Sequence, residues 1–233
     1  GNGTITDETS DESTALVQEI AEEGIVLLKN DGTLPLAADS NLNVFGWAST
    51  NPCYGGTGSG ALSDAYPTVS LLQGLEDAGF NLNTELSDFY TAYRADRPEV
   101  GMWAQDWTLP EPTADSYTDE MMANAKEFSD TAMVVITRVG GEGADLPTDV
   151  SKVTYTDNST EYKDFEAGEH YLQLDRTERD MLDLVCSNFD NVIVVYNGAN
   201  AMELGFINEY SQIKSAIWCP GTGQSGFEAL GEI

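Results

Sequence analysis

Three short runs of the chain are apolar from end to end: Ala132-Met133-Val134-Val135-Ile136, Val192-Ile193-Val194-Val195-Tyr196 and Ala216-Ile217-Trp218. A strand with one wet face alternates apolar and polar residues, so an unbroken run means that both faces are covered. Doubly covered strands belong to parallel sheets, whose crossover connections lay helices on either side. The stretches between the runs carry the matching signal. Arg176 to Ser187 reads as a helix with Met181, Leu182, Leu184 and Val185 inward, and Asp119 to Phe128 as another. The expected fold is α/β: a three-layer α/β/α sandwich with a mostly parallel sheet of about six strands.

The remaining elements fit between these. Ser13 to Leu28 reads as a helix capped by Ser10 or Ser13, with Leu16, Ile20, Ile25, Val26 and Leu28 on one face. Leu42 to Phe45 and Phe80 to Leu82 read as short strands. Val69 to Ala78, Glu85 to Tyr93 and Met202 to Glu209 read as helices, and a last helix follows Pro220-Gly221 and runs to Ile233. Two stretches lack any period. Residues 98–117 hold three prolines together with Trp103 and Trp107, and residues 148–168 are rich in Asp, Thr and Tyr. Both read as inserted loops with few apolar anchors, expected to be the most mobile parts.

In a parallel sheet the ligand site lies outside the carboxyl ends of the strands. The segments 46–60, 138–147, 197–201 and 219–226 all follow strands and gather on that edge. One of them is the run Gly140-Gly141-Glu142-Gly143-Ala144-Asp145. A buried strand that empties into a carboxylate between glycines fixes the acid in place and lets a ligand approach the backbone closely. Glu142 is therefore the candidate acid/base residue, against the plainer reading of a solvated loop acid. The glycine run at 55–60 lacks the Gly-Lys-Ser/Thr ending of a phosphate-binding loop, so it reads as a tight loop facing a neighbouring domain.

Charge narrows the ligand. With 10 basic and 40 acidic residues the net charge is −30, which repels nucleic-acid phosphates and anionic lipids. No apolar run approaches the roughly 18 residues of a membrane span. Neither nucleic acid nor a membrane is an expected partner. Cys53, Cys186 and Cys219 have no metal-type spacing, and no metal or cofactor is expected.

The loops also carry a family resemblance. Glu23-Gly24-Ile25-Val26-Leu27-Leu28-Lys29-Asn30-Asp31-Gly32 with Leu34-Pro35-Leu36 resembles the opening of the C-terminal α/β sandwich domain of glycoside hydrolase family 3, the β-glucosidases and their relatives. Gly55-Gly56-Thr57-Gly58-Ser59-Gly60 resembles that family's glycine loop, and Arg138 with Gly141-Glu142-Gly143-Ala144-Asp145 its acid/base loop. Val192 to Asn197 with Gly198, and Pro220-Gly221 with Gly223, Gly226 and Ala229-Leu230, match later landmarks in the same order.

The resemblance implies a retaining β-glycosidase that hydrolyses terminal β-linked sugars with two carboxylates. Glu142 would be the acid/base, and an aspartate on an N-terminal barrel domain the nucleophile. It implies two partners: that barrel domain of the same protein, and an oligosaccharide or glycoside substrate. Nothing in this chain resembles the barrel. The expected organisation is a polar lead-in at residues 1–12 from an upstream domain, then the sandwich domain at 13–233, cut short at its C-terminus.

Asp145 would assist Glu142 in binding substrate, unless it only caps a turn. Trp103 and Trp107, with Tyr117, would stack on sugar rings, unless they pack within their loop. Glu161, Glu166 and Glu169 are the reserve candidates for the acid/base. His170 and Trp47 read as structural. Asn158-Ser159-Thr160 fits a glycosylation acceptor, a triplet common by chance. A non-catalytic carbohydrate-binding or regulatory module, with Glu142 idle, is the alternative reading; a nucleotide-binding α/β domain is a third.

Overall fold

The computed structural model describes residues 3, 5–56, 62, 67–97, 106–143 and 145–233. Six strands form one sheet: β1 (Val26–Asn30), β2 (Asn41–Phe45), β3 (Asn81–Leu82), β4 (Thr131–Thr137), β5 (Asn191–Asn197) and β6 (Ile213–Cys219). Their spatial order is β1-β6-β5-β4-β2-β3, and every neighbouring pair is parallel except β1–β6. The centre of the sheet is the pairing of β4 with β5 over seven residues, from Thr131 opposite Asn191 to Thr137 opposite Asn197.

The two apolar faces of the central strands feed two cores. Val134 and Ile136 of β4, with Val192, Val194 and Tyr196 of β5, face one core. Over it lie α3 (Thr84–Ala95), α4 (Asp119–Phe128) and α5 (Arg176–Asn188), which contribute Leu86, Tyr90, Met121, Met122, Met181, Leu182 and Val185. Met133 and Val135, with Ile193 and Val195, face the other. There α2 (Leu71–Asp77) and α6 (Phe227–Glu232) pack through Leu71, Leu75, Phe227 and Leu230. The sandwich has three layers, as the unbroken apolar runs require.

The N-terminal region departs from expectation. The first helix, α1, spans Asp7–Gly24 and is capped by Thr6, whose hydroxyl accepts the Thr9 N–H at 3.2 Å. Residues expected to continue it form β1 instead, an antiparallel edge strand on β6 with an irregularity between Leu27 and Lys29. The reason lies in Ile25-Val26-Leu27-Leu28, four consecutive apolar residues with two β-branched members, which suit a strand better than a helical stripe. The expected buried stripe on α1 is also absent: Leu16, Val17 and Ile20 are exposed. The helix expected over Met202 to Glu209 is reduced to a single 3-10 turn, Gly205–Asn208.

Where they are described, at residues 106–117 and 148–168, the two inserts are anchored rather than loose. In the first, residues 98–105 lie outside the described residues, but Trp107, Thr108, Leu109 and Glu111 are buried. In the second, Val150, Asp164 and Phe165 are buried, and the inserts bind each other. The Trp107 N–H donates to the Thr154 carbonyl at 2.9 Å, and the Thr156 N–H to the Thr108 hydroxyl at 2.8 Å. The Asn158 amide donates to the Leu109 carbonyl at 2.6 Å and to Asp164 at 2.9 Å, so the nitrogen a glycan would need is already engaged. Isolated aromatic and β-branched residues anchor these loops without any period that sequence reading could detect.

One glycine shapes the exit from β2. Gly46 has φ +100°, and a Cβ there would lie 2.3 Å from the Val135 carbonyl oxygen. The backbone can pass β4 only because no side chain intervenes.

Candidate functional site

The carboxyl edge of the sheet is stitched together by Asn197, at the end of β5. Its side-chain oxygen accepts the Cys53 N–H at 2.5 Å, and its amide donates to the Cys53 and Cys219 carbonyls, each at 3.1 Å. The loops after β2, β5 and β6 are thereby tied to one side chain. The Gly223 N–H donates to the Tyr54 carbonyl at 2.7 Å and closes the same edge from the β6 side. The three cysteines are unpaired and buried; burial pushes the Cys186 and Cys219 thiols up to about 12 and also raises Cys53, which keeps them protonated and inert.

The loop after β4 begins at Arg138, a fully buried guanidinium. All five of its N–H groups are used. Two meet Glu178 in a two-pronged ion pair at 2.7 and 2.6 Å. The other three donate to the carbonyls of Tyr171 and Gln173, each at 2.6 Å, and of Thr137 at 2.9 Å. Burial works against its charge, but the Glu178 carboxylate outweighs burial and holds the guanidinium above its ordinary value. Glu178 is itself built into the start of α5. Asp175 accepts the Glu178 N–H at 2.7 Å and Glu178 accepts the Asp175 N–H at 2.9 Å, a reciprocal cap. The first turn of α5 thus fixes both its own end and the end of β4.

More acid surrounds this pair than the single guanidinium can balance. Glu111 is buried with its carboxylate against the Trp47 N–H at 3.3 Å; burial, then the charge of Glu178, pushes it well above the usual carboxylate range. Asp175 is raised for the same two reasons, and its second oxygen is buried without a hydrogen-bond partner. Asp164 accepts from Thr177 at 2.7 Å and from the Asn158 N–H at 3.0 Å, yet burial still lifts it to about 6.

Glu142 lies four residues beyond Arg138, exposed at the edge of the domain. The backbone beneath it is closely framed: a Cβ on Gly140 would stand 2.8 Å from the Asn200 amide nitrogen, and one on Gly56 would stand 3.5 Å from the Gly140 carbonyl oxygen. Gly56 therefore lies against the Glu142 loop, while Gly55 lies against Gly221 after β6; residues 57–60 lie outside the described residues. The geometry presents a carboxylate at the rim of the domain on a short, glycine-flanked turn with a fixed base, able to exchange a proton with a group brought up from outside.

Asp145 is exposed on the same loop. Trp103 lies outside the described residues. Trp107 is not at a surface: it is only 8% exposed, with its ring edge-on to Tyr171 at 5.0 Å between centroids. Tyr117 is buried against Tyr90, their hydroxyls 2.5 Å apart, and Trp47 is in the core. For Trp107 and Tyr117 the packing alternative is the one seen, because each ring closes a core that its loop must cover. Of the reserve acids, Glu161 and Glu166 are exposed, while Glu169 accepts the Glu166 N–H at 2.5 Å and the Gln173 amide at 2.8 Å. His170 pairs with Glu203 at 2.8 Å. Among the described residues no group of three or more His, Cys, Asp or Glu side chains is arranged to hold a metal ion.

Sequence reading singled out Arg138 only as part of a motif and passed over Glu178, Asp175, Glu111 and Tyr171. The spacing Asp175-x-x-Glu178 before an apolar helix is a legible capping signal. Nothing in the sequence shows that the same glutamate also neutralises Arg138.

The profile of the glycosyl hydrolase family 3 C-terminal domain matches residues 25–233. A β-glucosidase of Ruminococcus albus is 30% identical over 222 residues, covering 92% of this chain and 21% of the relative. β-Glucosidase A of Butyrivibrio fibrisolvens is also 30% identical, covering 92% and 26%. This chain therefore spans about a fifth to a quarter of the length of these curated relatives. Among solved structures, a β-glucosidase from Paenibacillus barengoltzii superposes with a TM-score of 0.76 at 30% identity, over 95% of this chain and 23% of that one. β-Glucosidase 3B from Thermotoga neapolitana, solved with α-D-glucose, shares the fold with a TM-score of 0.74 at 22% identity, over 98% and 29%. The chain belongs to the glycosyl hydrolase family 3 C-terminal domain family.

Proposed function

We propose that this chain is the second domain of a retaining β-glycosidase of the β-glucosidase type, and that Glu142 is its acid/base. One observation carries the reading. In a member of this family, the glycine-flanked Glu142 stands at the sheet's carboxyl edge on a loop rooted in the Arg138–Glu178 pair.

A retaining mechanism needs a second carboxylate about 5–5.5 Å from the first, to attack the anomeric carbon while the acid protonates the leaving oxygen. In this reading that nucleophile and the pocket for the terminal sugar belong to a barrel domain elsewhere in the same polypeptide. The relatives' greater length leaves room for such a domain. Exposure of Glu142 suits a residue that meets substrate across a domain boundary. Asp145, on the same rim, would contact the substrate's far end, Trp103 is assigned the same role from the sequence, and neither a metal nor a cofactor takes part.

The test is chemical rescue. In the complete polypeptide, Glu142→Ala leaves the glycosyl intermediate without a base to activate water, so added azide should restore turnover and appear in the product as a β-glycosyl azide. Rescue is expected because azide attacks without needing its proton removed. A variant as active as the parent favours the non-catalytic module instead; one that is inactive on a substrate with a good leaving group and that azide leaves unchanged argues against Glu142 as the base.

A further inference from the structure

One residue holds both ends of the Glu142 loop. The backbone N–H of Tyr171 donates to the Pro147 carbonyl at 3.0 Å, where the loop leaves the edge, and its hydroxyl accepts the Val139 N–H at 3.2 Å, where the loop begins. Its carbonyl accepts from the Arg138 Nε at 2.6 Å. The ring is buried, with Trp107 edge-on to it and the Arg138 guanidinium carbon 5.4 Å from its centroid. Residues 139–147 are thus closed at the base, like a loop drawn through a ring, and Glu142 stands near the middle of the closed segment.

We propose that Tyr171 is a positioning residue for the acid/base step, fixing through its hydroxyl and backbone the place where Glu142 meets the substrate. The proposal rests on Glu142 being the acid/base. Proton transfer requires the carboxyl within hydrogen-bond reach of the leaving oxygen, and an exposed side chain on an unrestrained nine-residue loop would spend most of its time elsewhere. Closure at both ends removes that freedom with two hydrogen bonds, without burying the acid. Glu178 takes part indirectly: it holds Arg138, and Arg138 holds the Tyr171 carbonyl. Asn200 and Gly56 confine the same loop from the other sides. An ordinary packing role would explain the ring's burial. It would not require the hydroxyl to reach the first residue of the loop while the backbone reaches the last.

The test uses Tyr171→Phe, which keeps the ring and removes only the acceptor for Val139. Hydrogen exchange of this chain, resolved by peptide, should show exchange over residues 139–147 faster by about 5- to 10-fold, with α5 and β5 unchanged. In the complete polypeptide the same variant should lower kcat for poor leaving groups by about 10-fold and leave KM within about 2-fold. Unchanged exchange at 139–147, or exchange that rises equally throughout the domain, overturns the proposal. So does a local rise in exchange with kcat unaffected, provided Glu142→Gln in the same polypeptide is selectively slow on poor leaving groups. If Glu142→Gln instead slows all leaving groups alike, the acid/base reading fails on its own, and the proposal falls with it even where exchange shows the clamp. Should Tyr171→Phe fail to fold, Arg138→Lys, which keeps the charge and loses most of the guanidinium's bonds, is measured for the same local rise.

Discussion

Arg138 and Glu178 meet as a two-pronged ion pair with no access to solvent, 40 residues apart in sequence, and join the end of β4 to the first turn of α5. The Glu142 loop starts from this contact, because its first residue follows Arg138 directly.

Breaking the pair should be costly. Glu178→Gln leaves a buried cation without its counter-charge and weakens the α5 cap. Arg138→Met leaves a buried carboxylate beside three others, Glu111, Asp164 and Asp175. Removing one partner of a buried ion pair costs about 3–5 kcal/mol. Urea unfolding of each variant checks this, and a loss under about 1 kcal/mol would mean that solvent reaches the pair.

Two glycines separate backbone strain from collision. Gly46 and Gly79 have φ +100° and +98°, but a Cβ on Gly46 would lie 2.3 Å from Val135 O, while one on Gly79 meets nothing within 4 Å. Gly79→Ala should cost only the conformational penalty, about 1–2 kcal/mol. Gly46→Ala must also push β2 from β4 and should cost clearly more. Equal melting temperatures for the two variants would show that the sheet yields at Gly46.

Acid should stabilise the domain down to mildly acidic pH. The pKa of Asp164 is raised from 3.8 to about 6 by burial, so the folded form binds a proton that the unfolded form releases. The stabilisation this gives is fully present below about pH 4 and is lost as pH rises through about 6. Glu111 and Asp175 are shifted the same way, and a net charge of −30 adds repulsion that acid relieves. Melting temperature should therefore rise from pH 8 to pH 6. A fall over that interval would mean that these carboxylates are charged and satisfied in the folded state.

The domain by itself should fold yet not hydrolyse aryl β-glucosides, since the second carboxylate and the sugar pocket are assigned elsewhere. The check is turnover of a nitrophenyl β-glucoside by this chain. A rate well above buffer that vanishes in Glu142→Ala would show a complete site within these 233 residues.

The sheet was legible because burial on two faces leaves unbroken apolar runs, and β4 and β5 were each located within a residue. The place of Glu142 at the sheet's carboxyl edge was legible, because the apolar run before it ends in the glycine-flanked loop. The rest was hidden for physical reasons. Whether Ile25 to Leu28 extends a helix or forms an edge strand depends on β6 being beside it, which no local pattern encodes. The anchoring of residues 106–117 and 148–168 comes from scattered residues such as Trp107, Val150 and Phe165, each with a partner distant in sequence. Tyr171 looked like one tyrosine among ten, since the ends it joins, Val139 and Pro147, come together only in the folded chain.

The central claim, that Glu142 delivers the proton, is tested most directly by leaving-group dependence in the complete polypeptide. A good leaving group departs without protonation, and a poor one does not. With Glu142→Ala, kcat/KM for alkyl or unactivated aryl β-glycosides should fall by roughly 10²–10⁴-fold, while dinitrophenyl glycosides lose far less. Equal losses across the series would contradict the assignment and move the acid/base role to another carboxylate, Glu161 or Glu166 first.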